Sequence, residues 1–221
     1  MSETQLFFDA IRAGDLAAVR ALLDQDSTLL NGKNAQSQSP VLFSIYNRQK
    51  EICDFLMSRG AVLELHEAAA CGDLARARGL VENDASLAAS YSPDGFPCVA
   101  LAAVFGNLEV AKYLRTKGAD INAVATNGSG YNALTGAVAS GHTEIVKWLL
   151  ENGAQPNYEY ANGYTPILTA AANGHLEILK LLQDHGADLH AKTSDGKNAL
   201  AYAEERKHAE VADYLRAQGV S

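Results

Sequence analysis

Three histidines, His142, His175 and His208, recur at intervals of 33 residues. Imidazole is the commonest metal ligand, so three at one repeating position raise the question of a shared zinc. Zinc needs each nitrogen at about 2.0–2.1 Å. Equivalent positions on stacked helices stand roughly 8–10 Å apart. The three therefore cannot share one metal, and turn capping between consecutive helices is the expected role. "HEAAAC", residues 66–71, opens like a zinc-protease helix, but Ala70 stands where the second histidine is required. Cys71 and His66 could act as nucleophile and base. No third, orienting group stands at a recognisable spacing, so a packed thiol is expected. "GSGYNA", 128–133, imitates a dinucleotide fingerprint. That fingerprint must follow a buried strand and open a helix within a βαβ unit, and here it falls in a turn.

The elements that carry these residues are repeats. "SGHTEIVKWLLENGAQ" (140–155) and "NGHLEILKLLQDHGAD" (173–188) are near copies. The glycine of "GH" is a natural marker. Its equivalents are Gly14, Arg48, Gly72, Gly106, Gly141, Gly174 and Lys207, spaced 34, 24, 34, 35, 33 and 33 residues apart. Eight residues after each marker stands a leucine: Leu22, Leu56, Leu80, Leu114, Leu149, Leu182 and Leu215. Marker +4, +5 and +8 share one helical face, so an amphipathic second helix is expected in every unit. A shorter helix precedes each marker. In "TPILTAAAN", 165–173, Thr165 is expected to cap the helix and Pro166 fits its first turn. Gly174 and Gly186 end the two helices, since a C-terminal cap wants a positive φ.

Helix, turn, helix and protruding turn at a period of 33 resembles the ankyrin repeat. Residues 163–191, "GYTPILTAAANGHLEILKLLQDHGADLHA", match its G-x-T-P-L-H-x-A-A-x-x-G-H…G-A-D pattern closely. Residues 130–157 and 95–123 match well, and 37–61 and 196–219 more loosely. The motif histidine survives only as His66; Leu168, Thr135 and Ala100 replace it elsewhere. Proline fills its slot only at Pro40 and Pro166, so weaker helix starts are expected in the other repeats. The resemblance implies an all-α solenoid of about seven helix-turn-helix repeats with short turn or hairpin fingers, spanning 1–221 as a single array. It also implies a non-enzymatic protein-binding module whose concave face, lined by fingers and first helices, meets a partner.

One interval is irregular. The spacing of 24 removes nine residues between the second and third repeats, about one finger. "GDLARARGLVENDASL" (72–87) then echoes "GDLAAVRALLDQDSTL" (14–29), as though an array opened twice. The expectation is two sub-modules, 1–61 and 62–221, joined at a seam around 60–64 that lacks a finger. The last unit carries Glu204, Glu205, Arg206 and Lys207 where inner repeats carry alanine and glycine, as a polar cap should.

Composition narrows the partner class. Net charge is −8, which argues against nucleic acid or an anionic membrane. Apolar content of 48% and charged content of 20% fit a chain that buries a core. There is no signal-like start and no apolar run of about 20 residues. Cys53, Cys71 and Cys98 form no C-x-x-C pair, so reduced thiols and a cytoplasmic setting are expected. No cofactor or metal is expected, and the chain reads as a monomer. Function should therefore lie at variable positions on the framework. Phe96, Tyr131 and Tyr164 follow the turn glycines of successive repeats. Tyr158 and Tyr160 precede a turn, and Phe105 and Asn173 close first helices. Aromatics of this kind are enriched at interface hot spots. These seven are the candidate partner-binding residues, with Phe96, Tyr131 and Tyr164 as an aromatic ladder. Two other readings stay open: an inhibitory or accessory subunit of one enzyme, and a small-ligand binder or unusual enzyme with a pocket at the 60–64 seam.

Overall fold

The computed structural model describes residues 2–221 and contains fourteen α-helices there. They are α1 (Glu3–Ala13), α2 (Leu16–Gln25), α3 (Pro40–Tyr46), α4 (Lys50–Ser58), α5 (Leu65–Cys71), α6 (Leu74–Asn83) and α7 (Cys98–Val104). They continue with α8 (Leu108–Thr116), α9 (Ala133–Ser140), α10 (Thr143–Glu151), α11 (Pro166–Asn173), α12 (Leu176–Asp184), α13 (Ala199–Glu205) and α14 (Ala209–Ala217). Consecutive helices pair into seven antiparallel hairpins. The first helices, odd-numbered, stack in one continuous row from α1 to α13. Alanines make this close approach possible: Ala68, Ala69, Ala102, Ala103, Ala170 and Ala171 are all fully buried.

Between hairpins the chain forms short fingers closed by single antiparallel bridges, Tyr91 with Pro97, Tyr160 with Tyr164 and Lys192 with Asn198. Asparagines tie neighbouring fingers together. Asn122 Nδ2 donates to the Gly153 carbonyl at 3.1 Å, and Asn157 Nδ2 donates to that of Gly186 at 2.8 Å. The linker between α8 and α9 (117–132) is two residues longer than that between α10 and α11 (152–165), which accommodates "GSGYNA" as turn. Between α4 and α5 only residues 59–64 intervene, and no finger forms there.

Three expectations need correction. Thr165 occupies the cap position of α11, but its hydroxyl caps nothing and is buried without a partner. Nor is every helix start without proline bare, although α7 has no side-chain cap. Asn132 Oδ1 accepts from Thr135 N at 2.9 Å, and Asn198 Oδ1 from Ala201 N at 2.9 Å. An asparagine cap replaces the proline.

The third concerns the invariant leucine. Leu56, Leu114, Leu149, Leu182 and Leu215 are wholly buried, each contributing about 2 kcal/mol. Leu22 and Leu80 are only half-buried. In α2 and α6 the buried residues are Val19 with Leu23 and Ala77 with Val81. The core face keeps +5 and replaces +4 and +8 by +9, a partial rotation about the helix axis. This explains Arg76 at an otherwise apolar position: it lies outside the core, and its Nε donates to the Leu63 carbonyl at 2.9 Å. Both rotated helices run into an Asp-capped 3-10 turn, at Asp26 and at Asp84.

Candidate functional site

The residue after each marker decides how repeats are joined. Gln49 Nε2 donates to the Arg12 carbonyl at 3.3 Å. Asn107 Nδ2 donates to the carbonyls of Ala69 and Ala70 at 2.9 and 2.8 Å. His142 Nε2–H donates to Val104 O at 3.0 Å, and His208 Nε2–H to Ala172 O at 3.1 Å. His175 takes the equivalent place, its ring lying against Gly141 at the end of α9. Each side chain reaches back to the unpaired last carbonyls of the preceding first helix. The histidines thus clasp two repeats and do not cap their own turn, and this bond fixes the proton on Nε2.

The clasp also explains the marker glycines. Gly106 and Gly141 have φ of 82° and 77°, and a Cβ there would stand 3.0 Å from the rings of His142 and His175. Where a clasp side chain rests on the marker, only glycine fits. At two markers glycine is replaced, by Arg48 (φ 58°) and Lys207 (φ 63°). Lys207 is the marker of the last described repeat. After Arg48 the next repeat offers Asp73, whose carboxylate turns to its own helix and accepts from Arg76 N at 2.9 Å. Asp15 does the same in the first repeat, accepting from Ala18 N at 2.9 Å. The junction between repeats two and three has neither finger nor clasp.

The candidate binding residues divide into two groups. Tyr131, Tyr160 and Tyr164 form one continuous row with ring centroids 5.4 and 6.1 Å apart. The row ends on Tyr202, 5.5 Å from Tyr164, whose hydroxyl accepts from Tyr164 Oη–H at 2.8 Å. Tyr160 Oη bonds to Thr169 Oγ1. Tyr131, 39% exposed, is the most open ring of the row. Burial raises the Tyr160 phenol above its ordinary pKa, and the bond to Tyr202 followed by burial raises Tyr164 to about 12. Tyr160 and Tyr164 are therefore neutral at physiological pH. Tyr202 carries no periodic signal in the sequence, since it sits inside α13, away from the turn glycines.

Phe96 does not belong to that ladder. It is half-buried and packs with Tyr46 and Phe105 on Leu42, Ala70 and Leu101. Tyr46 and Phe105 are stacked, with centroids 6.0 Å apart and planes inclined by 19°. Tyr158 is half-buried and takes part in no aromatic pair. Asn173 Nδ2 donates to the Ala139 carbonyl at 3.2 Å, so its amide also serves a repeat junction.

Beneath the Tyr46–Phe105 stack runs an open groove of about 1010 Å³. Ile45, Met57, Cys71, Val104 and Phe105 give it apolar walls, and Lys50, Asp54 and His142 give it a polar margin. It follows the ends of the first helices in repeats two to five. Neither residues 60–64 nor His66 line it. His66 is 5% exposed and packed against the carboxylates of Glu64 and Glu67, 3.7 and 3.9 Å away.

Fourteen helices paired into stacked hairpins and joined by asparagine-tied fingers define a helical repeat solenoid. The family model for ankyrin repeats (three copies) matches residues 65–160 and again 137–221, and the chain belongs to that family. Residues 2–64 lie outside the match but form two further hairpins of the same kind. A comparison with curated proteins found no match. Ankyrin repeats are generally protein-protein interaction modules. No helix among the described residues is long and apolar enough to cross a membrane.

Proposed function

We propose that the chain is a non-enzymatic binding module that holds a partner protein along the face built from fingers and first helices. The observation that carries this is the row Tyr131–Tyr160–Tyr164, three rings in contact across one repeat junction and continued across the next by Tyr202, with Tyr131 open to solvent. A tyrosine offers contact area and a hydroxyl at modest entropic cost. Here the bonds to Thr169 and Tyr202 already fix two of the rings, so little ordering remains to be lost on binding. The Phe105 groove provides a second apolar contact area.

The test is an affinity capture comparing wild type with Tyr131→Ala/Phe105→Ala, two changes that leave the Tyr164–Tyr202 bond in place. Circular dichroism first confirms that both proteins are folded. A partner retained by wild type and lost by the variant supports the reading. Equal capture by both would remove it and leave the tyrosines a structural role. An inhibitory or accessory subunit of one enzyme is a special case of the same surface: a single captured enzyme whose turnover falls on binding would mark it. The alternative of a small-ligand site at the 60–64 seam draws no support from the groove, which those residues do not line.

A further inference from the structure

We infer that Asn127 is a site of spontaneous deamidation in the folded protein, where its side-chain amide cyclises onto the Gly128 nitrogen and water opens the ring to aspartate and isoaspartate. The inference stands independently of what the tyrosine row binds. The chain holds five Asn-Gly pairs, at Asn31, Asn127, Asn152, Asn162 and Asn173. Glycine is the neighbour that shields the attacking nitrogen least, because it has no Cβ. Folding then separates the five. The amides of Gly32, Gly153, Gly163 and Gly174 donate to the carbonyls of Leu29, Leu150, Tyr160 and Ala171 at 3.2, 3.2, 3.0 and 3.3 Å. Gly128 N–H donates to no acceptor among the described residues, and Asn127 and Gly128 are both exposed. Asp94 and Asp195 also precede glycine, but there Gly95 N donates to Ser92 O and Gly196 N to Thr193 O, both at 2.8 Å.

The Asn127 side chain is folded back over that peptide. Ser129 N donates to Asn127 Oδ1 at 3.0 Å, closing an Asx turn whose ring contains both Cγ and the Gly128 nitrogen. The same bond draws electrons from the carbonyl that is to be attacked. The space beside the Gly128 Cα is open, so solvent reaches the peptide. Nδ2, the leaving group, donates to the Asp94 carbonyl at 2.9 Å, and Thr126 N donates to that of Gly95 at 2.8 Å. These two bonds tie the finger before α9 to the finger before α7. Deamidation removes the first, because a carboxylate has no hydrogen to offer the Asp94 carbonyl. It also adds a negative charge to the finger that Tyr131 closes, where Ala125 N donates to Tyr131 O at 2.7 Å.

Gly128 N gives its proton to hydroxide and attacks Asn127 Cγ. A C–N bond forms, the Cγ–Nδ2 bond breaks, and Nδ2 takes a proton from water and leaves as ammonia. The product is a five-membered cyclic imide. Water then adds to one of its two carbonyls. Cleavage at Cγ gives aspartate on an unchanged backbone. Cleavage at the main-chain carbonyl gives isoaspartate, with the chain running through the side-chain carbon. In sum one asparagine and one water give one acid and one ammonia, with nothing oxidised or reduced. The first step needs a deprotonated amide, so the rate rises with pH.

The experiment incubates the full chain at neutral and mildly alkaline pH, folded and in parallel unfolded in guanidinium, and maps tryptic peptides by mass spectrometry with fragmentation. Isoaspartate is labelled with an isoaspartyl methyltransferase and its methyl donor. Asn127 lies in the peptide of residues 118–147, Asn31 in that of 21–33, and the other three in that of 148–180. In guanidinium all five pairs should convert at comparable rates. In the folded chain Asn127 should convert at least about fivefold faster than any other, since each of the other glycine amides must first break a hydrogen bond. Its product should contain isoaspartate, and its rate should rise with pH. Conversion of another pair level with or ahead of Asn127 in the folded chain would overturn the inference. So would an Asn127 that converts in guanidinium and stays intact when folded. Aspartate without isoaspartate would overturn it too, because the amide would then have been hydrolysed without forming the ring.

Discussion

Tyr46 stacks on Phe105, centroids 6.0 Å apart, although a complete repeat stands between them. Tyr46 ends α3 and Phe105 caps α7. The intervening helix α5 offers only Ala70 and Cys71 at this level, and a large side chain there would separate the rings. The contact therefore braces the junction that has neither finger nor clasp. A double-mutant cycle of Tyr46→Ala and Phe105→Ala should give a coupling of about 0.5–1.5 kcal/mol by denaturant unfolding. Additive losses would show that the stack contributes nothing.

The Tyr46 hydroxyl faces Asp94 and Ser92 without reaching a bonding geometry, and it is buried unpaired. Burial and the Asp94 charge push its pKa up. An unpaired buried hydroxyl is unfavourable by about 1–3 kcal/mol. Tyr46→Phe should consequently raise stability by on the order of 1 kcal/mol. A loss of stability in the same measurement would mean that the hydroxyl is in fact satisfied.

Markers without a clasp should accept glycine gladly. A non-glycine residue at positive φ costs about 1–2 kcal/mol. Arg48→Gly should recover part of that, because nothing rests on Arg48, whereas Gly106→Ala should lose stability twice over, through φ and through the His142 ring. His142→Ala should cost about 1 kcal/mol for the lost bond to Val104. Urea midpoints of the three variants, with unchanged slopes, test the set.

The seam should show in equilibrium unfolding. Solenoid stability is close to a sum of repeat and nearest-neighbour terms, so a weak junction uncouples its two sides. Trp148 is the only tryptophan and reports on repeat five alone, while circular dichroism reports on all helices. The dichroism transition should begin at lower urea than the fluorescence transition. Coincident curves would argue for one cooperative array and against sub-modules 1–61 and 62–221.

His66 should make the protein acid-sensitive. Burial lowers its pKa, outweighing the opposing charges of Glu67, Glu64 and Asp94, with Lys33 acting in the same direction as burial. The unfolded chain then binds a proton that the folded chain refuses, in the window below about pH 6.5. Stability should fall as pH drops through that window. His66→Gln should flatten this slope by up to one proton while leaving the contribution of His175, whose pKa burial also lowers. An unchanged slope would remove His66 as the source.

The period of 33, the marker glycines and the second-helix leucines made the architecture legible before any coordinates. They specify local backbone and one buried face, which sequence spacing reports directly. The rotated faces of α2 and α6 were hidden because leucine still stands at +8; only Ala18 and Arg76 at +4 hinted at the change. The site was less legible. Tyr131 and Tyr164 are marked by the turn glycines before them, and Tyr160 by its place ahead of a turn. Phe96 occupies an equivalent place yet packs elsewhere. Tyr202 and Tyr46 obey no period at all. Which rings meet depends on how small the residues between them are, and that is a property of the stack.

The clasp has a direction in time as well as in space. Each one is supplied by the later repeat to the earlier: Val104 waits for His142, and Ala172 for His208. A chain growing from its amino end therefore leaves each newest hairpin with an open helix end until about one further repeat has been synthesised. Repeats one and two, taken as a pair, need no clasp from a later repeat. Gln49 closes the first hairpin, and the second, ending at Arg48, receives no clasp from Asp73. That pair can complete its own bonding before the rest of the array exists, and it gives the growing chain a finished surface for the third hairpin to dock on.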